Sequence, residues 1–419
     1  MSGRTREFRF HEAVRVNNLQ AVESLLKQGV NPSSINDRGW TSLHHACYDG
    51  NIKLARLLLS FRADPNITDA EGRTPLHVGA GNAEIVGMLI DGGADISKRD
   101  KAGRTGLHVA VDHAADEAMR RLFKRGADPD DAATDGTTAV HRAVDTGNLG
   151  AIGVVLSAKP KHVDARDKEG LTALLIAAKR LNLEAVDALL SAGANPNLGH
   201  DPRIRTIGGV YRGDTPLHIA ASSNDPAMMR RLLECPGIDI DPVDGSEYGQ
   251  GRTPLRQAVE RGSGKCAALL IDAGANLDLV DSKSRTALHR AMELQDRKIA
   301  TALLQAGANP DIEAADHKTA RDLDPSLVLR HSTRIPGKGV VARAAFELVR
   351  DTPAAVSILG DEREKDRCIA LATHVAQQSP GDADSKRVIE NIRKIRTPEP
   401  TERRHDMANE PTAAPAFRR

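Results

Sequence analysis

The chain has 419 residues, with 58 Lys and Arg against 57 Asp and Glu, a formal net charge of +1 and 2% aromatic residues. That balance gives no global electrostatic case for a nucleic-acid or membrane-surface partner. No apolar run approaches the roughly 18 residues of a membrane span, and residues 1–10 are charged with no apolar stretch, so neither membrane insertion nor a signal peptide is expected.

Four cysteines (Cys47, Cys235, Cys266, Cys368) lack any pairing or zinc spacing. Free thiols fit a reducing compartment, so a cytoplasmic location is expected, with nuclear and host-cell locations left open. Length alone would suggest two or three domains, but an internal repeat overrules that prior.

Residues 8–35 read as a partial first copy. Phe10-His11-Glu12-Ala13-Val14 stands for a first helix and residues 22–27 for a second, with no threonine start. A terminal copy must show a polar outer face, which suits an N-terminal cap. Thr41-Ser42-Leu43-His44 then opens a pattern that returns at Thr74-Pro75-Leu76-His77, Thr105-Gly106-Leu107-His108, Thr138-Ala139-Val140-His141 and Thr172-Ala173-Leu174-Leu175. It continues at Thr215-Pro216-Leu217-His218, Thr253-Pro254-Leu255-Arg256 and Thr286-Ala287-Leu288-His289, and fades at Thr319-Ala320-Arg321-Asp322. These are copies one to nine, and a period near 33 residues is the mark of a stacked array.

The threonine hydroxyl can cap a helix start, and proline suits the first helical position. The leucine is the first core contact. The recurring histidine is expected to bond across to a neighbouring threonine and lock copy to copy. In each copy a second apolar periodicity follows, as in Glu84-Ile85-Val86-Gly87-Met88-Leu89-Ile90, predicting a second helix with one buried face. Gly29, Gly93, Gly126, Gly193, Gly274 and Gly307 suit its left-handed C-terminal cap. Helix, turn, helix and hairpin in this register resemble the ankyrin-repeat family over residues 8–323. The fold class implied is all-α with short β-hairpin turns: an ankyrin-repeat solenoid of about nine repeats, residues 36–325 with the cap 8–35, plus a small C-terminal helical segment.

Departures from the pattern carry the candidate sites. Trp40 directly precedes its threonine and Tyr48 follows seven residues later. The family resemblance implies that both offsets point into the groove where partners bind; the plainer alternative is that Trp40 packs on the next hairpin. Copy two is short and holds Gly79 where the family prefers alanine, predicting a clipped or flexible first helix. Copy four ends on Ala158-Lys159-Pro160-Lys161 instead of glycine-alanine.

Two hairpins carry insertions. Residues 198–212 form a basic loop with Arg203, Arg205, Tyr211 and Arg212. Residues 239–250 form an acidic one with Asp239, Asp241, Asp244, Glu247 and Tyr248. Either the loops brace each other by charge pairs, or they grip a ligand with Tyr211 and Tyr248 as anchors. Arg73, Arg104, Arg252 and Arg285 each precede a threonine and suggest a basic ridge.

In copy nine Arg321 replaces the core leucine and Pro325 is expected to stop the helix, closing the array as a polar cap. Residues 326–337 read as a junction. Residues 338–396 carry four short amphipathic helices, near 339–350, 352–359, 361–378 and 384–396. They could form a small bundle or dock on the array; docking is favoured because about 60 residues make a marginal core alone. The composition of 397–419 predicts disorder.

Chemical motifs are weak. Gly262-Ser263-Gly264-Lys265-Cys266 lacks the flanking residues of a phosphate loop, and Asp239, Asp241 and Asp244 lack calcium-loop spacing. No cofactor or metal is expected. The sequence therefore predicts a non-catalytic, monomeric protein–protein interaction scaffold, whose contacts are Trp40, Tyr48, Arg203, Arg205, Tyr211, Arg212 and Tyr248 and whose partner is a protein rather than a nucleic acid. The alternative is an adaptor or secreted effector whose array selects a target while residues 338–396 recruit a second complex. An enzyme using Cys368 or His374 is the least favoured reading.

Overall fold

The computed structural model describes residues 3–36, 39–201, 203–204, 213–244, 251–331, 348–351, 356, 366, 368–369, 372–373, 376 and 383–396. The chain divides into two compact units, residues 1–319 and 320–419.

The first unit is a run of helix pairs. First helices span Ser42–Tyr48, Gly106–Asp112, Ala139–Thr146, Ala173–Lys179, Pro216–Ser222, Pro254–Glu260 and Ala287–Glu293. Each begins just after its threonine, whose backbone is extended (Thr41 φ −79°, ψ 162°). The leucine or valine two positions on is at most 2% exposed in copies one to eight, from Leu43 to Leu288. Burying each such side chain contributes on the order of 2 kcal/mol.

Second helices such as Ile52–Ser60 and Leu183–Ser191 start on a repeated Asn or Asp cap; the Asn51 Oδ1 accepts the Leu54 N–H at 3.1 Å. They end on the six expected glycines, whose φ runs from +83° at Gly29 to +96° at Gly307. In copy four Lys159 takes that left-handed place at φ +55°, so the departure in sequence keeps the turn. Among the described residues the hairpins contain no strand longer than an isolated bridge, at Ile35–Thr41, Arg166–Thr172 and Glu313–Thr319.

The histidine works differently from expectation. Its Nδ1 turns back to its own copy, accepting the backbone N–H of the cap threonine at 3.2 Å in His44 and 3.1 Å in His77, with the threonine hydroxyl 2.8 and 2.9 Å away. An N–H aimed at Nδ1 fixes the ring proton on Nε2. That Nε2–H donates to a backbone carbonyl of the next hairpin: Arg73 at 3.0 Å from His44, Arg104 at 2.9 Å from His77, Arg252 at 3.0 Å from His218. The bond across copies is therefore made to main chain, not to a threonine hydroxyl; even the Thr137 carbonyl that receives His108 is a backbone group. A carbonyl has no side chain to mark it in sequence.

Copy two is clipped as expected: its first helix is Pro75–Val78. A Cβ on Gly79 would lie 2.7 Å from Ile85 Cγ2 and 3.0 Å from Cys47 Cβ. The shortened turn brings helix and neighbour too close for alanine.

In the second unit Pro325 ends Ala320–Leu323 but also opens another helix, Pro325–His331. Asp324 explains this, since its Oδ1 accepts the Leu327 N–H at 3.0 Å and proline follows at the first helical position. The junction expected over 326–337 is thus helical to His331, and 332–337 lie outside the described residues. A helix spans Ala383–Arg396, matching the last predicted one. Its Val388 and Ile392 share a buried cluster with Leu348, Val349, Val356, Cys368, Ile369, Ala372 and Ala376. Most of the three preceding predicted helices, and the tail 397–419, lie outside the described residues.

Burial lowers the pKa of His44, His77, His108, His141, His218 and His289, in His218 to about 4. The unfolded chain, with ordinary histidines near pKa 6.5, takes up these protons first, so stability present above that pH is lost as pH falls toward 4. His218 alone is expected to withdraw about 2 kcal/mol by pH 5, at 1.36 kcal/mol per pKa unit. Urea midpoints at pH 7.5 and 5.0 check this; equal midpoints would contradict the neutral rings.

Candidate protein-binding groove

The groove wall is set by the residue before each threonine. Asp69 lies four residues before Arg73, and its carboxylate accepts the Arg73 N–H at 2.8 Å and the Arg73 Nε–H at 2.9 Å. Asp100 does the same for Arg104, Asp281 for Arg285, and Asp244, across its insertion, for Arg252. Burial works to raise the pKa of Asp69, but the hydrogen bonds from Arg73 outweigh it and hold the group below the ordinary value. The suggested basic ridge is therefore neutralised arginine by arginine.

Copy one replaces this clamp with Asn36 and Trp40. The Asn36 Oδ1 accepts the Trp40 N–H at 3.0 Å and its Nδ2 donates to His45 Nε2 at 2.9 Å. Half-buried Trp40 meets His45 edge-on at 5.0 Å and Tyr48 at 5.5 Å between ring centroids, and the Arg73 guanidinium lies 5.8 Å over its ring. Trp40 therefore packs on the next hairpin and on its own helix together. Tyr48 remains 70% exposed. The structure thus brings Trp40 and Tyr48 into one aromatic cluster.

Of the inserted-loop candidates, Arg203 is described; Arg205, Tyr211, Arg212 and Tyr248 lie outside the described residues. Arg203 pairs with Asp201 of its own loop, Nη2 to Oδ2 at 2.7 Å. In the other loop, Asp241 Oδ2 accepts the Asn276 N–H at 2.9 Å and Asp244 holds Arg252. Among the described residues no charge pair joins the two loops, because each described charge is used within its own turn or by the following copy.

A family model of ankyrin repeats in three copies matches residues 10–100, 79–167, 107–201, 154–244 and 217–314. The chain belongs to the ankyrin-repeat family. It is similar to Protein glp-1 of Caenorhabditis elegans, 32% identical over 166 residues covering 38% of this chain, and to Rabankyrin-5 of Homo sapiens, 29% identical over 279 residues covering 62%. The matches span 12% and 23% of those two proteins' lengths. Among solved structures, the ankyrin repeat domain of Bcl-3 aligns at 29% identity with a TM-score of 0.45, covering 50% of this chain and 92% of that one. Ankyrin repeats generally mediate protein–protein interaction, and family members are typically non-catalytic.

One ankyrin copy carries a charge network that the spacing of motifs does not announce. In copy seven Arg256 stands where the histidine belongs. Its Nη1 donates to the Arg285 carbonyl at 3.2 Å, reproducing the bond across copies. The same guanidinium reaches Asp281 at 2.6 Å and Glu260 at 3.2 Å, with side chains 3%, 0% and 17% exposed. Arg252 and Arg290 also reach Glu260, at 3.5 and 3.7 Å. Burial works to raise the Asp281 pKa, but the Arg285 N–H and the Arg256 guanidinium hold it below the ordinary value.

Cys368 is buried and its thiol is pushed up to about 11, so it holds little thiolate at neutral pH. His374 lies outside the described residues. Among the described residues no three His, Cys, Asp or Glu side chains gather to hold a metal ion, and no helix is long and apolar enough to cross a membrane.

Arg256→Ala is expected to cost roughly 2–3 kcal/mol, just under the usual range for breaking a buried pair because Arg285 stays on Asp281. Arg256→His, which restores the arrangement of the other copies, should recover most of it. Urea unfolding followed by circular dichroism decides, and an alanine variant within about 0.5 kcal/mol of the parent would contradict the network's role.

Proposed function

We propose that the chain is a non-catalytic scaffold that grips a partner protein in the groove between hairpins and first helices. Trp40 and Tyr48 anchor one end, and the inserted loops with Arg203, Arg205, Tyr211, Arg212 and Tyr248 supply a second contact. The observation that carries this reading is Tyr48, 70% exposed yet braced edge-on by Trp40. An exposed aromatic side chain held in one orientation loses little freedom on binding, and tyrosine and tryptophan dominate interface energetics. In this reading the protein works as a cytoplasmic monomer without cofactor or nucleic acid.

A second reading is an adaptor, favoured by the separate buried cluster from Leu348 to Ile392. There the array selects a target and the C-terminal helices recruit another complex.

Affinity capture from native lysate tests both. The combined Trp40→Ala and Tyr48→Ala substitution, folding verified by circular dichroism, is expected to weaken capture of the partner at least tenfold, about 1.4 kcal/mol or more. Undiminished capture removes the aromatic anchor. Deleting residues 332–419 should leave partner capture intact in either reading and remove co-captured proteins only if the adaptor reading holds.

A further inference from the structure

Copy five breaks the aspartate–arginine clamp on one side. In copies two, three and eight the aspartate five residues before the threonine receives the arginine one before it, with Nη2 to Oδ2 distances of 2.8, 2.8 and 3.1 Å. Copy five keeps the aspartate, Asp167, but Leu171 stands in the arginine's place. The Asp167 Oδ1 still accepts the backbone N–H of residue 171, at 2.8 Å, so the turn is built as in the other copies. The carboxylate's other side has no described hydrogen bond or ion pair. Asp167 is consequently half-buried, where Asp69, Asp100 and Asp281 are 7%, 7% and 6% exposed beneath their arginines.

Leu171 is itself buried, 3% exposed, at the edge of the space a guanidinium would occupy. Copy four has Thr137 at the same position, so two successive arginines are absent, and a cleft of about 560 Å³ lies there between hairpins and first helices, with Asp167, Leu171 and Ile176 in its lining. Its charges are largely settled among themselves: Arg142 holds Asp112 with Nε to Oδ1 at 2.7 Å, and Arg180 pairs with Asp145. Asp135 accepts from the Thr137 N–H and hydroxyl at 2.9 and 2.6 Å. Asp167 and Glu169 remain as acceptors, beside exposed Lys168 and Lys179, for which no ion pair with either carboxylate is described.

We propose that this cleft is a subsite for an arginine side chain of the bound protein, with the Asp167 carboxylate receiving the guanidinium that Leu171 fails to supply. The inference rests on the scaffold reading above and names a chemical feature of its partner. Arginine is preferred to lysine because the planar fork can satisfy the open carboxylate with two parallel bonds while its stem lies on half-buried Ile176. The array itself supplies the template: copies two, three and eight show the same carboxylate in the same turn already filled from within.

Random twelve-residue peptides displayed on phage, selected on the full chain, provide the probe. The expected result is enrichment of arginine. Replacing that arginine by lysine in a recovered peptide should weaken binding at least tenfold. Binding should fall similarly on the Asp167→Asn chain, which keeps the acceptor for the Leu171 N–H, and on the Leu171→Arg chain, whose own guanidinium fills the cleft. Leu171 is only 3% exposed, so Leu171→Arg trades buried leucine surface for the clamp of copies two, three and eight, and its folding is verified by circular dichroism before binding is compared. Peptides that carry no arginine preference, or that bind the Leu171→Arg chain as well as the parent, overturn the subsite. If those same peptides are lost on the Trp40→Ala and Tyr48→Ala chain, the scaffold reading stands without it. A selection yielding no binder at all counts against both.

Discussion

Two bonds made by one imidazole ring hold this array together. Nδ1 takes the N–H of the threonine that starts its own helix, and Nε2 gives its proton to a carbonyl of the following hairpin. Both partners are backbone groups, so each ring fixes the start of one helix and the distance to the next copy at once. A stacked array has no global core to average over errors, and each copy is stabilised only by its neighbours. A bond that ties helix start to inter-copy spacing is then worth more than its individual strength. The requirement for a neutral ring follows from the geometry, because a proton on Nδ1 would confront an N–H.

Where copies depart from that scheme, the groove acquires its individual character. Copy seven substitutes Arg256, keeps the carbonyl bond and gains two carboxylates. Copy one trades the aspartate–arginine clamp for Asn36 and Trp40, and so presents aromatic surface. Copy five retains Asp167 without its arginine and opens a cleft. The repeated residues build the frame, and the exceptions at Trp40, Leu171 and Arg256 are where one copy differs from the next. This division is why an ankyrin array can change specificity without changing fold.

Much of the frame was legible in sequence because its signals are local. A threonine cap, a proline at the first helical turn and a glycine past the end act within a few residues, and their recurrence made the register unmistakable. The clipped helix before Gly79 was legible for the same reason. What escaped was non-local or made by main chain. The carbonyl that receives each histidine carries no residue identity. The neutralisation of Arg73, Arg104 and Arg285 was signalled by an aspartate four residues earlier, but a ridge of cations and a row of paired clamps look alike until the turn brings the groups together. Pro325 alone signals a stop, whereas Asp324 before it makes it equally a start. Of the candidate contacts, the offsets of Trp40 and Tyr48 pick out two side chains that the structure packs edge-on. Asp167 is conspicuous only once the neighbouring clamps are known.

The state of the imidazole rings is the direct measure of whether the array is held as described. Long-range proton–nitrogen correlation spectra of the full chain, with histidine nitrogens labelled and recorded at pH 7, report which ring nitrogen carries the proton. His44, His77, His108, His141, His218 and His289 are expected to show the neutral form protonated at Nε2, distinct from the exposed histidines of the same chain. Rings protonated at Nδ1, or averaging toward imidazolium at that pH, would contradict the two-bond scheme on which the fold and its groove depend.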